Sequence, residues 1–384
     1  MIPRDRFLAT MHFRPTDRVP LSPGGPREST LAAWHSQGLP EDVAWFPYLM
    51  DLLGIEVEQT RPRVDLGVSF IMIPTFEEEV LEHKDGHYIV RDWMGAITEI
   101  SDTYDYTYIR RAKDFVTRKW HRFPVESRQD FEQKLKWRYD PQDPARFPGD
   151  FGARCSQLRE RDYAVTLAFS GPFWQMREWC GMEGLCMLMV EQPELVEEMA
   201  AFWTDFVLRT LEPILHLAPP DHIIFNEDMA YKMHSMISPK MVRHFLVPAW
   251  SQWIAAIKAA SPETVVDMDS DGYNAELLPI WVDTGFDAVS PMEVAAGNDI
   301  VAYRRQYGTQ IAFRGGIDKR ALAKGGDVMR AELLRVIPPL LKEGGYIPSC
   351  DHGVPSDVAW PDYVEYIKLL AQATGWLSRG GSPS

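Results

Sequence analysis

The sequence has few cysteines, four in 384 residues, and Cys155, Cys180, Cys186 and Cys350 form no C-x-x-C pair. Reduced thiols packed as small hydrophobes are the expectation. Positive charge is also scarce: 40 Lys and Arg against 55 Asp and Glu leave a net charge of -15. Nucleic acid and anionic membranes are therefore excluded as expected partners, because both are bound through Lys and Arg on phosphates. No run of about 18 apolar residues occurs, so no transmembrane helix is expected. The polar, charged Met1–Met11 segment lacks the apolar core of a signal peptide, which predicts a soluble, cytoplasmic protein. No phosphate loop, nucleophile elbow or flavin motif is present. No G-x-G-x-x-G follows the first strand candidate of the βα series below, which argues against a dinucleotide fold.

What is present is an ordinary globular composition, 45% hydrophobic and 25% charged, in a chain of a length usual for an α/β barrel. Up to about residue 160 it is irregular and rich in Pro, Arg and aromatics. There Ser69–Ile73 reads as a strand. Glu77–Ile100 reads as hairpins turning at Asp85-Gly86 and Met94-Gly95, since Asp-Gly between β-like runs is a strong hairpin signal. Residues 60–125 are expected to form a β-rich insertion or lid. From residue 161 short apolar runs alternate with amphipathic helices. The strand candidates are Tyr163–Ser170, His222–Glu227, Thr264–Asp269, Ala288–Pro291, Gln310–Arg314 and Tyr346–Ser349. The helix candidates include Pro193–Leu211 and Pro239–Ala260. Such alternation predicts a parallel sheet, and its length predicts a (β/α)8 TIM-type barrel. One domain over 1–376 and a flexible Gly/Ser/Pro tail over 377–384 complete the expectation.

Barrel enzymes place their chemistry at the C-terminal strand ends. Here those ends carry Glu227-Asp228, then Asp267, Asp269 and Asp271 at alternate positions, then Glu293, Arg314 and Asp351-His352. Residues two apart on a strand share a face, so the three aspartates are expected to point at the mouth. Buried carboxylates need a cation or donors. Asp269, Asp271 and His352 therefore form a candidate divalent-metal site, zinc by its imidazole, or an acid–base site without metal. Glu227, Asp269 and Arg314 are the candidate catalytic groups. Capping of a helix near Tyr273 is the competing reading for Asp269 and Asp271, and Asp228 competes with Glu227 as a helix cap. The glycines after Arg314 would let backbone approach a ligand. Arg27, Phe173, Trp174, Arg177, His234, Glu293 and Asp318 are candidates to contact substrate, with surface exposure (Arg27), packing (Phe173, Trp174) or helix capping (Asp318) as the alternatives.

The chain resembles the uroporphyrinogen decarboxylase superfamily, which includes cobalamin-dependent methyltransferases. The resemblance lies in FRPTDRVP (Phe13–Pro20), SGPFWQMREWCGMEGL (Ser170–Leu185), ISP (Ile237–Pro239), DTGFDAVSPME (Asp283–Glu293), FRGGIDKRAL (Phe313–Leu322) and GGYIPSCDHGVP (Gly344–Pro355). It implies a distorted (β/α)8 barrel acting on a small molecule, with a homodimer common among relatives. The Arg-rich N-terminal segment of the tetrapyrrole decarboxylases is reduced here to Arg27. The methyltransferase branch holds zinc through His-x-Cys and a later Cys, positions that fall on Asp269, Asp271 and His352. The resemblance thus implies methyl transfer or demethylation at a metal-binding mouth, with a corrinoid protein as partner. Metal-independent decarboxylation by Asp and Arg, and a non-catalytic metabolite-binding barrel, are the alternatives.

Overall fold

A computed structural model describes residues 1–58, 60–107 and 117–378. Six strands form one parallel sheet in sequential order. They are β5 (Thr166–Ser170), β6 (His222–Asn226), β7 (Val265–Asp269), β8 (Ala288–Ser290), β9 (Ala312–Ile317) and β10 (Tyr346–Cys350). A second, antiparallel sheet holds β1 (Glu79–Lys84), β2 (His87–Arg91), β3 (Ile97–Ser101) and β4 (Arg118–Arg122). Among the described residues no ladder joins β5 to β10, so the expected parallel sheet is present with six strands and the expected eight-stranded closure is not seen.

Alternation along the parallel strands divides apolar from polar. Leu167, Phe169, Ile223, Phe225, Val266, Met268, Val289 and Phe313 are buried. They belong to one core with Trp203, Phe206 and Trp253 from the surrounding helices. On the opposite face the register aligns Ser170, Asn226, Asp269 and Ser290 in one row. Side chains of one row face the same space, so the polar residues of the strand ends converge. Helix Pro193–Leu217 starts on its proline, whose missing N–H costs nothing at a first turn. It buries Leu195, Val196, Met199, Trp203, Phe206, Val207, Leu211 and Ile214 along one stripe. The expected helix Pro239–Ala260 is divided into Pro239–Phe245 and Val247–Ala260, because Pro248 has no N–H for the carbonyl of His244 and disfavours a helical residue before it.

The N-terminal region positions both ends of this sheet. Helix Pro3–Met11 was not expected from the charged sequence; its Leu8 and Met11 pack with Val265, Ala288, Ala312 and Ile347 near the N-terminal strand ends. Phe7 lies 5.2 Å from the His222 ring. Along β10, Pro23 and Gly25 carbonyls accept from Cys350 and Val354 N–H at 3.1 and 2.9 Å, which carries Arg27 to the strand end. Ser69–Ile73 is not a ladder strand. Its Ser69 and Ile73 N–H groups donate to the carbonyls of Arg146 and Arg138, while Phe70 stacks on Phe169 at 5.0 Å.

The antiparallel sheet contains the expected hairpins. Asp85 and Gly86 both have positive φ (52° and 77°), as a two-residue type I′ turn requires. The sheet is held by Phe123, whose ring occupies the space above Gly181, and by Val125 N–H on the Trp179 carbonyl at 3.0 Å. A Cβ on Gly181 would sit 2.3 Å from the Phe123 ring, at a backbone φ of +74°. Gly181→Ala is therefore expected to destabilise the protein by about 1–3 kcal/mol, read as a lower thermal midpoint. Residues 108–116 of the expected insertion lie outside the described residues. So does the expected tail beyond Ser378, whereas Leu377 is tied back by its N–H to the Ala371 carbonyl.

Candidate functional site

Three side chains form a buried polar chain across the sheet's inner face. His222 Nε2 lies 3.1 Å from Asp267 Oδ2, and Arg314 Nη1 donates to the same oxygen at 2.7 Å. Ser290 Oγ donates to the Asp267 carboxylate at 3.2 Å, and Thr166 Oγ1 lies 3.2 Å from His222 Nδ1. Burial opposes charge on Asp267, but the hydrogen bond from His222 and the Arg314 guanidinium outweigh it and hold the carboxyl below its ordinary range. Burial pushes His222 the other way, toward the neutral imidazole. Arg314 remains partly open to solvent, at 28% side-chain exposure, so it can meet a ligand while Asp267 holds it.

One step closer to the mouth stands Asp269, the last residue of β7. Its side chain has no hydrogen-bond partner among the described residues. Burial, then the charges of Asp267, Asp228 and Asp271, push its pKa up to about 7. Asp228 follows β6 in a left-handed conformation (φ 43°), and its Oδ1 accepts the Asp271 N–H at 3.0 Å. Burial raises its pKa as well. Asp271 Oδ2 meets His352 Nε2 at 3.0 Å, joining the β7 end to the β10 end. The Gly353 N–H points at His352 Nδ1 at 2.7 Å and Arg27 Nη2 lies 3.3 Å from it. With two donors at Nδ1, the imidazole proton belongs on Nε2, facing Asp271. The helix following β7 begins only at Leu278, so neither Asp269 nor Asp271 caps it.

The remaining candidates separate from this group. Glu227 is fully buried and turned away: its Oε2 accepts the Trp174 N–H at 2.9 Å and its Oε1 the Trp250 Nε1–H at 2.7 Å. Burial raises it to about 8. It thus seats the start of helix Pro172–Cys180, and the adjacent Asp228 is the one near Asp271. Phe173 is fully buried. Trp174 donates to Glu178 at 2.7 Å and lies under Arg177, whose Nη1 donates to the Asp228 carbonyl at 2.9 Å. His234 is exposed and pairs with Glu276. Glu293 pairs with Lys319 at 2.8 Å and accepts the Gly272 N–H. Asp318 caps helix Lys319–Lys324 and binds Arg320. The close approach allowed by Gly315 is to the Pro291 carbonyl, 2.0 Å from where a Cβ would stand, and not to an open ligand space.

Sequence reasoning missed the part played by His222, because it begins a strand and the strand-end rule looks at the other terminus. Its signal was register: Thr166, His222, Asp267 and Arg314 all alternate with buried apolar residues. Asp351 was noted only as a neighbour of His352. It accepts the Val294 and Lys319 N–H groups, stitching two loops together, and burial lifts it to about 6.

As arranged, these residues do not fit a zinc ion. Among the described residues no group of three His, Cys, Asp or Glu side chains is placed to hold a metal. His352 meets Asp271 through one nitrogen and a backbone N–H and a guanidinium through the other. Burial pushes the Cys350 thiol up to about 12, so it offers no thiolate.

The uroporphyrinogen decarboxylase (URO-D) family model matches residues 133–368, more than half of the chain. A curated uroporphyrinogen decarboxylase from Chlorobaculum parvum is 22% identical over 243 residues, covering 60% of this chain and 62% of its own length. Among solved structures, a methyltransferase from Methanosarcina mazei superposes with a TM-score of 0.58 at 17% identity, over 98% of both chains. That likeness establishes a shared fold. With the strand-end motifs seated on one parallel sheet, the chain belongs to the uroporphyrinogen decarboxylase family.

Proposed function

We propose that this protein is an enzyme that moves a proton at the carbon of a small carboxylated substrate, a metal-independent decarboxylase in type. Asp269 carries the reading: a carboxyl without a hydrogen-bond partner among the described residues, facing the inner side of the sheet, balanced between its acid and ionised forms near neutral pH. Catalytic acids are tuned to that range by burial and like charges. Arg314 faces the same space and would hold the substrate's carboxylate, oriented by Asp267 and His222. The bond to the leaving carboxyl breaks, carbon dioxide departs, and the electron pair left on carbon takes the Asp269 proton, which water restores. Asp267, Asp228 and Asp271 crowd negative charge beside Asp269 and keep its proton on. Arg27 at the rim would meet a second acidic group. The sheet is read as the main arc of a TIM-type barrel, with Pro23–Arg27 flanking β10 and the Phe70 segment flanking β5.

Methyl transfer or demethylation of a small substrate with a corrinoid partner is the second reading. It is favoured by the Asp271–His352 contact at 3.0 Å, at positions the family resemblance gives to metal ligands. Elemental analysis of protein purified without chelator, beside an Asp271→Ala/His352→Ala double variant, separates the two. No stoichiometric metal in either sample is expected. About one equivalent of divalent metal, lost in the double variant, would overturn the metal-independent reading.

A further inference from the structure

Outside the strand-end cluster, two cavities lie beneath the hairpin sheet. One, of about 490 Å³, opens on Ala168 and Ser170 at the end of β5 and is roofed by Phe70, Met72 and Trp93. Its neighbour, of about 330 Å³, is lined by Arg118, Trp120, Phe123, Trp174, Arg177 and Met182. Met94 and Glu178 line both.

The second cavity has an unusual wall. Arg118 and Trp120 are two apart on β4 and share a face, with the guanidinium 4.8 Å from the indole centre. Arg177 approaches from the facing helix, over Trp174 at 4.5 Å. Among the described residues, Arg118 Nη1 is buried without a hydrogen-bond partner. The nearest carboxylate oxygen among the described residues, Asp92 Oδ2, is 3.9 Å away and has no hydrogen-bond partner among them. A buried guanidinium nitrogen without an acceptor costs about 1–3 kcal/mol or more, so the cavity offers a vacant place for an anion. Glu178 does not fill it. Its carboxylate receives the Trp174 Nε1–H at 2.7 Å and the Gln175 amide at 3.5 Å. Burial also raises its pKa, which weakens its negative charge. Two guanidiniums disfavour a cationic guest, and three aromatic rings favour a planar one.

We propose that this second compartment binds a small aromatic acid, with its ring among Trp120, Phe123 and Trp174 and its carboxylate on Arg118 and Arg177. Its volume is near the lower end for small-molecule sites, about 300 Å³, so one or two fused rings fill it. Ser170 stands two strands from Asp269 in the same row, roughly 10 Å away by strand spacing. An extended acid would pass Met94 into the larger cavity and point its far end past Ser170 toward Asp269. In calling the occupant the substrate, this inference rests on the acid–base reading above; the binding site itself does not.

Calorimetric titration of the full chain with 2-naphthoate tests it. Saturable binding is expected, weakened about tenfold or more by Arg118→Gln or by Trp120→Ala, since each removes a charged hydrogen bond or a ring face. The neutral 2-naphthamide should bind at least about tenfold more weakly than the acid. Asp269→Asn should keep wild-type affinity, which separates loss of this site from failure of the proton-transfer chemistry. Trp120 is 46% exposed, so its variant decides the question if Arg118→Gln does not fold. No saturable binding, equal affinity for acid and amide, or wild-type affinity in Trp120→Ala would overturn the proposal.

Discussion

Asp269→Asn is expected to remove the chemistry and at the same time stabilise the fold above neutral pH. An unfolded aspartate loses its proton near 3.9, whereas burial and three neighbouring carboxylates hold Asp269 at about 7 in the folded protein. Ionising it in place is therefore unfavourable. That penalty grows as pH rises from the unfolded value to the folded one and is constant above. Asparagine never incurs it. At pH 8 the variant should be more stable by up to about 4 kcal/mol, and the advantage should vanish below pH about 4. Urea unfolding at both pH values reads the difference directly; an equal advantage at both would assign the effect to packing. The functional arm is just as large. Turnover of any acid the wild type decarboxylates, followed as carbon dioxide release, should fall by about 10²–10⁴-fold. In the wild type it should decline as pH rises through about 7, because the acid form is the active one. Gain of stability with loss of turnover is the pattern of a residue kept for function.

Asp267→Ala should do the opposite and weaken the fold. Asp267 is fully buried, and its one carboxylate serves His222, Arg314 and Ser290. Removing it leaves a guanidinium without its counter-charge and an imidazole without its acceptor inside the sheet, which costs about 3–5 kcal/mol. Here the folded pKa is depressed. The carboxylate's contribution is thus present above its unfolded value and is lost as pH falls through the folded one. The deficit of the variant in urea unfolding should be largest near pH 7 and shrink in acid. A loss below about 1 kcal/mol would mean that Arg314 and His222 find other partners, and that Asp267 does not position Arg314.

The parallel sheet was legible because its pattern is local. Phe169, Phe225, Met268 and Val289 each lie between or beside small or polar residues of the inner face on their strands, and helices such as Pro193–Leu217 carry a strong apolar stripe. The Asp85-Gly86 turn was legible for the same reason, since two adjacent positive φ values need those residue types. Ser69–Ile73 misled because its alternate residues Phe70 and Met72 are buried by tertiary packing, while the Ser69 and Ile73 N–H groups bond to carbonyls far along the chain. Periodicity cannot see such partners. In the site, the strand-end rule brought Asp269, Asp271, His352 and Arg314 to one face. It could not decide between Glu227 and Asp228, because the left-handed turn at Asp228 redirects the chain just after the strand. Nor could it supply His222, whose role comes from sheet register.

Whether Asp269 is an acid poised at neutral pH can be read without a substrate, by isotope-edited infrared or carbon-13 NMR titration of the aspartate carboxyls, wild type minus Asp269→Asn. A protonated carboxyl signal is expected that disappears with a midpoint near the folded value of about 7 and is missing from the variant. A difference signal titrating instead near about 3.9, the ordinary aspartate value, would contradict it.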